Sequence, residues 1–153
     1  MSEYVSPVEI RLEDLREGED SGAPRKVRDV TVRIGGRVIP LKFNMRVQRL
    51  IEEELEMDFY ELQDNLNKKK RNTGVILTCI RLMGNEGLKA EGQEADLTAD
   101  WLEENMSPAY TTDYRVAALG ALVAGWKMET DNSYEEKQDV VLNEIRKKNG
   151  NTD

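Results

Sequence analysis

Residues 29–43, Asp-Val-Thr-Val-Arg-Ile-Gly-Gly-Arg-Val-Ile-Pro-Leu-Lys-Phe, constrain the fold more than any other stretch of the chain. Val30, Val32 and Ile34 alternate with Thr31 and Arg33. After Gly35-Gly36, Ile39, Leu41 and Phe43 alternate with Val38, Pro40 and Lys42. Period-two alternation on both sides of a two-residue glycine connection predicts a β-hairpin, because the primed turns that match strand twist require positive φ. A lone two-stranded hairpin is marginal in water, so this one needs a helix behind it or another strand beside it. Val8, Ile10 and Leu12 alternate as well and predict a short third strand.

The remainder has helical spacing. Asn44 is a good N-cap, and Val47, Leu50, Ile51 and Leu55 follow as a stripe with Glu52 to Glu54 projecting outward. Asp58-Phe-Tyr-Glu61 matches a capping box and opens a helix with Phe59, Leu62 and Leu66 on one side. Its end is the basic run Lys68 to Arg71, which suits a helix C-terminus. Thr73 is the expected cap of a third helix in which Val75, Ile76, Leu77, Cys79, Ile80, Leu82 and Met83 leave almost no polar face. Such a helix is buried, which makes it the expected central element.

Residues 84–96 hold three glycines and read as a loop. Thr98 starts a short helix with Trp101, Leu102 and Met106, and Ser107-Pro108 marks the next start. Ala117, Ala118, Gly120, Ala121, Ala124 and Gly125 permit close approach of another backbone, while Leu119, Leu122, Val123 and Trp126 supply apolar area. Ser133-Tyr-Glu-Glu136 is a second capping-box pattern. The helix expected after it carries Tyr134, Val141 and Ile145 on one face and ends in Arg146-Lys-Lys148. The expected fold class is therefore mainly α, a helical bundle with a small N-terminal β-hairpin at its edge. The expected organisation is an acidic flexible segment over 1–24, a helical domain over 25–148 and a polar tail over 149–153.

Composition narrows the chemistry. At 153 residues the chain suits one domain with a sizeable core, and 34% of it is charged. No apolar run approaches the ~20 residues that span a bilayer. The N-terminus has no apolar signal-peptide region. A cytoplasmic location is expected. Cys79, the single cysteine, leaves no internal disulfide and reads as a buried small hydrophobe.

The absence of histidine removes the commonest general base and excludes Ser-His or Cys-His nucleophiles. No catalytic constellation, cofactor motif or metal-ligand spacing stands out, so catalytic, cofactor and metal residues are all expected to be none. The glycines of 84–96 lack the lysine and hydroxyl residue of a phosphate loop.

A net charge of -8 disfavours non-specific nucleic-acid binding, although its distribution is uneven. Residues 25–49 contain eight Arg or Lys and one Asp, whereas 52–64 contain seven acids and no base. Such blocks either screen each other or form a steering surface for a charged partner.

The order of these motifs resembles the tail assembly chaperones of long-tailed phages and of prophages in Gram-positive bacteria. Four stretches carry the likeness: the hairpin with Ile39-Pro-Leu-Lys-Phe43; the helix Val47-Gln-Arg-Leu-Ile-Glu-Glu-Glu-Leu55; Arg81-Leu-Met-Gly-Asn-Glu-Gly-Leu88 with Asp96-Leu-Thr-Ala-Asp-Trp-Leu102; and Asp139-Val-Val-Leu-Asn-Glu-Ile-Arg-Lys-Lys148. Each is generic alone, and their order, spacing and length make the likeness.

The resemblance implies a non-catalytic assembly role in the host cytoplasm, without ATP. The protein would bind the long helical tape measure protein, keep it soluble, recruit tail tube protein and be absent from the finished virion. It further implies that a ribosomal frameshift near Lys147-Lys148-Asn149 could yield an extended product.

Under that reading the expected partner-binding residues are Val47, Leu50, Ile51, Leu55, Leu119, Leu122, Val123 and Trp126. The expected assembly edge, and a route to a homo-oligomer, is Val30, Val32, Ile34, Ile39 and Leu41. The competing reading of the partner-binding stripe and of the 116–126 helix is that both simply form the core. The alternatives are a phage tail structural or connector protein, and a small cytoplasmic regulator binding protein or DNA.

Overall fold

The computed structural model describes residues 4–12 and 27–126. Among them, the chain runs as strands β1 (Val8–Leu12), β2 (Val27–Ile34) and β3 (Arg37–Leu41), then helices α1 (Met45–Leu55), α2 (Phe59–Asn67), α3 (Thr73–Ala90) and α4 (Ala99–Asn105). A 3-10 turn, Pro108–Tyr110, precedes α5 (Thr111–Gly125). The architecture is mainly α, with a small antiparallel sheet at the N-terminus. The helix expected after Ser133, with its Tyr134, Val141 and Ile145 face, lies outside the described residues.

The hairpin forms where its alternation places it. Gly35 and Gly36 have φ of 57° and 79°, the turn geometry that glycine adopts without a Cβ penalty. The strand Val8–Leu12 pairs with β2, so the sheet order is β1-β2-β3. This strand lies upstream of the boundary expected at residue 25, and it belongs to the same folded unit. One face of the sheet carries Val30, Val32, Ile34, Ile39 and Leu41, all buried, and packs on α3 and α5. The hairpin is thus a layer of the core.

Helix ends follow local chemistry. Asn44 caps α1, its Oδ1 accepting from the Val47 N–H at 3.0 Å. Asp58 and Glu61 form the full capping box of α2. Thr98 caps α4 by accepting from the Trp101 N–H. One cap differs from expectation: α3 is entered through Asn72, and Thr73 is its first residue. The Asn72 side chain is turned backward, donating to the carbonyls of Asn65 and Lys68 at the end of α2.

The larger correction is at residues 84–96. Residues 84–90 continue α3, and only 91–98 leave it. The glycines there serve close packing. A Cβ on Gly87 would sit 1.9 Å from the Pro40 carbonyl oxygen, so only glycine lets α3 lie against β3. The Lys42 N–H also donates to the Met83 carbonyl at 3.0 Å, fastening strand end to helix. The returning segment is held by Asn85, whose side chain both accepts from and donates to the Leu97 backbone at 2.9 and 3.1 Å.

Candidate interaction surface

The core takes in most apolar side chains of the described residues, including Cys79, whose thiol burial pushes up to about 12. A thiol so held is neither a nucleophile nor a metal ligand at neutral pH. Among the described residues no cluster of three Cys, Asp or Glu side chains could hold a metal ion. No described helix is long and apolar enough to cross a membrane.

One corner keeps aromatic area outside the core. The last turn of α5 carries Val123 and Trp126, 49% and 47% exposed, and α2 opens with Phe59 and Tyr60, the latter 69% exposed. The Phe59 and Trp126 rings stack with centroids 4.3 Å apart. Phe43 meets Phe59 at 6.1 Å, and Tyr60 stands edge-on to Phe59 at 5.5 Å.

Glycine again sets the geometry. A Cβ on Gly125 would lie 2.1 Å from the Phe43 carbonyl oxygen, so its absence seats the end of α5 against the strand-to-helix connection. That seating puts Trp126 over Phe59. The corner is a ledge of rings in which Phe59 packs against the core and Tyr60 and Trp126 reach solvent on either side of it.

Acids flank the ledge. Glu56, Asp58 and Glu61 are exposed around the entry to α2. Other members of the 52–64 acidic block are neutralised locally: Glu53 pairs with Arg49 at 2.9 Å, Asp64 with Lys68 at 3.5 Å, and Glu54 with Arg81. The basic and acidic blocks of the sequence thus meet partly by direct pairing, Arg49 to Glu53 being one link. Arg46 from the basic block also pairs with Glu86 of α3, which accepts from Asn44 too. Asp58 and Glu61, which bracket Phe59 and Tyr60 in sequence, also bond each other's backbone N–H in the α2 capping box.

The expected partner residues divide. Val47, Ile51 and Leu122 are sealed in the core, and Leu50, Leu55 and Leu119 are half-buried against it. Val123 and Trp126 reach solvent, and the fold stacks Trp126 on half-buried Phe59, which also touches exposed Tyr60 and the core residue Phe43; none of these three had been expected at a surface site. The available signal was Tyr60, an aromatic residue off the Phe59, Leu62, Leu66 stripe.

The expected assembly edge is not open where it was placed. Val30, Val32 and Ile34 belong to the central strand, bonded on both sides, and all five side chains of that set are core. The pair Ile34–Arg37 closes the ladder, so Val38 and Pro40 turn their backbone groups outward along β3. Pro40 has no N–H, and its carbonyl is covered by Gly87. On the other side of β2 the Arg33 N–H donates to the Pro7 carbonyl at 2.8 Å. The other rim strand is β1, where the Ser6 hydroxyl accepts from the outward Val8 N–H. Asp113 of α5 holds this rim through Ser6 and Tyr4.

In comparisons with known proteins, no family model matches the chain, and no similar curated protein or solved structure is found.

Proposed function

We propose that this chain is a tail assembly chaperone of a long-tailed phage or prophage, acting in the host cytoplasm. It binds the tape measure protein non-catalytically, keeps that long helical chain soluble and hands it to tail tube subunits. The motif order along residues 29–148 supports the family. The observation that carries the mode of action is the Phe59–Trp126 ledge: stacked rings held at the surface of an otherwise closed core.

A holding chaperone needs such a surface. The apolar face of an amphipathic client helix loses its aggregation-prone exposure by docking on such rings. The acids Glu56, Asp58 and Glu61 favour client segments whose apolar stripe is flanked by Lys or Arg. Binding and release then require only exchange of one apolar cover for another, which needs no nucleotide chemistry.

Co-expression with the tape measure chain encoded in the same genome tests the reading. The soluble fraction of that chain should depend on this protein and the two should co-purify, while mass spectrometry of finished virions should not find this protein. A tape measure chain equally soluble alone would sink the reading. Recovery of this protein from virions would favour the connector alternative.

A further inference from the structure

The two rims of the sheet differ. Along β3, Pro40 has no N–H, its carbonyl lies against Gly87, and the Lys42 N–H donates to Met83, so no continuous ladder can form there. Along β1, the Arg33 N–H donates to the Pro7 carbonyl, which fixes the alternation: Glu9 and Arg11 bond inward to β2, while Val8 and Ile10 turn their backbone groups outward. The Ser6 hydroxyl meets the Val8 N–H at 3.2 Å, and the outward N–H and carbonyl of Ile10 meet nothing among the described residues. Val8 and Ile10 are only half-buried, whereas Val32 and Val30, their partners across the strand pair, are sealed. The uncovered flank is the one away from β2.

The charge pattern of β1 identifies what fits this flank. The strand reads Val8-Glu-Ile-Arg-Leu12, with Ile10 resting on Gly120 of α5 and Glu9 and Arg11 exposed on the other face. A second copy, antiparallel about a two-fold axis at Ile10, bonds Ile10 to Ile10 and sets Glu9 of each copy opposite Arg11 of the other. Leu12, 43% exposed, then meets Val8 of the other copy. Sliding by two residues, the smallest step that keeps the same faces together, sets Glu9 opposite Glu9 or Arg11 opposite Arg11. One register is therefore attractive and its neighbours are repulsive. Within one copy Glu9 and Arg11 pair at 3.2 Å in solvent, so little is lost when they exchange partners.

We infer that two copies of this chain pair through β1 about a two-fold axis at Ile10, joining their three-stranded sheets into one continuous sheet. The bulge between Arg11 and Leu12 ends the regular ladder, so the shared strand is short and the dimer reversible. The interface uses no residue of the ring ledge and stands whether or not the chaperone reading holds.

Sedimentation of the full chain over a range of concentrations tests it. A dimer of the 17.5 kDa chain should be populated by concentrations on the order of 100 µM, as suits a modest interface. Glu9→Arg alone, or Arg11→Glu alone, sets like charges opposite each other twice and should weaken the dimer about tenfold. Mixing the two variants makes both pairs unlike again and should restore the native affinity, as should both substitutions in one chain. Both side chains are exposed, so the fold should persist, and circular dichroism checks that it does.

A native chain that stays monomeric over this range would overturn the inference. A dimer indifferent to the single substitutions would also overturn it, and its loss in Trp126→Ser would assign self-association to the ledge. Weakening that mixing does not repair would overturn it as well, since the charges would then not be facing each other across the two strands.

Discussion

Two places in this protein bring backbone and side chains together through glycine, with opposite consequences. At the seam between β3 and α3, Gly87 admits the Pro40 carbonyl, and everything around it is dry: Ile39, Met83 and Leu88 are sealed. At the end of α5, Gly125 admits the Phe43 carbonyl, yet rings beside it are left at the surface, with Trp126 47% and Tyr60 69% exposed. The same device closes one interface and builds an open ledge at the other. Close approach alone therefore does not say whether a surface is finished. What differs is the side chain carried past the contact, small or aliphatic at the seam and aromatic at the corner.

Substitutions should separate the two regions by size of effect. The largest belongs to the hairpin turn that sets the seam's register. Replacing Gly35-Gly36 with Val-Val puts β-branched residues at φ of 57° and 79° and drives the first against Trp101, 2.9 Å from the new Cβ. A loss of about 4 kcal/mol in urea unfolding is expected, at ~1–2 kcal/mol per left-handed residue plus overpacking. Unchanged stability and oligomer size would show that the turn is not a determinant. Gly87→Ala comes next, at about 3 kcal/mol, since the clash is with backbone. Gly125→Ala should cost less, about 1–2 kcal/mol, because a last helical turn can yield; equal losses at the two glycines would erase the contrast.

Cys79 of α3 probes how dry the core is. Its ordinary value is 9.0 and burial raises it to about 12, so the unfolded chain releases its proton first. Stability from this group is full below pH 9 and declines as pH rises from 9 toward 12. The stability difference between the native chain and Cys79→Ala should therefore shrink over that range. A gap independent of pH would mean the thiol is solvated. The smallest effect is at the corner: Tyr60→Ser with Trp126→Ser should change stability by about 1 kcal/mol, the worth of an exposed ring stack.

Local chemistry was legible in the sequence wherever a few adjacent residues decide the outcome. The Gly-Gly turn, the Asn44 and Thr98 caps, the Asp58–Glu61 box and the apolar α3 all follow from short-range patterns. The failures were tertiary. Gly84 and Gly87 looked like helix breakers because their reason, the β3 strand lying against them, comes from a distant part of the chain. Residues such as Val47 and Leu122 were indistinguishable from partner-binding surface, since a stripe shows which residues share a face and not what covers it. Arg115, buried and donating to the Leu66 carbonyl at 2.9 Å, carried no local sign of its burial. The ledge itself depends on three separated elements meeting, with Phe43, Phe59 and Trp126 far apart in sequence.

The most direct test of the ledge as the working surface uses the Tyr60→Ser, Trp126→Ser chain, co-expressed with the tape measure chain of the same genome. The soluble fraction of the tape measure chain is measured beside the thermal stability of the variant. The account predicts a variant that remains folded and no longer keeps the tape measure chain in solution. A folded variant that holds it in solution as well as the native protein does would contradict the account.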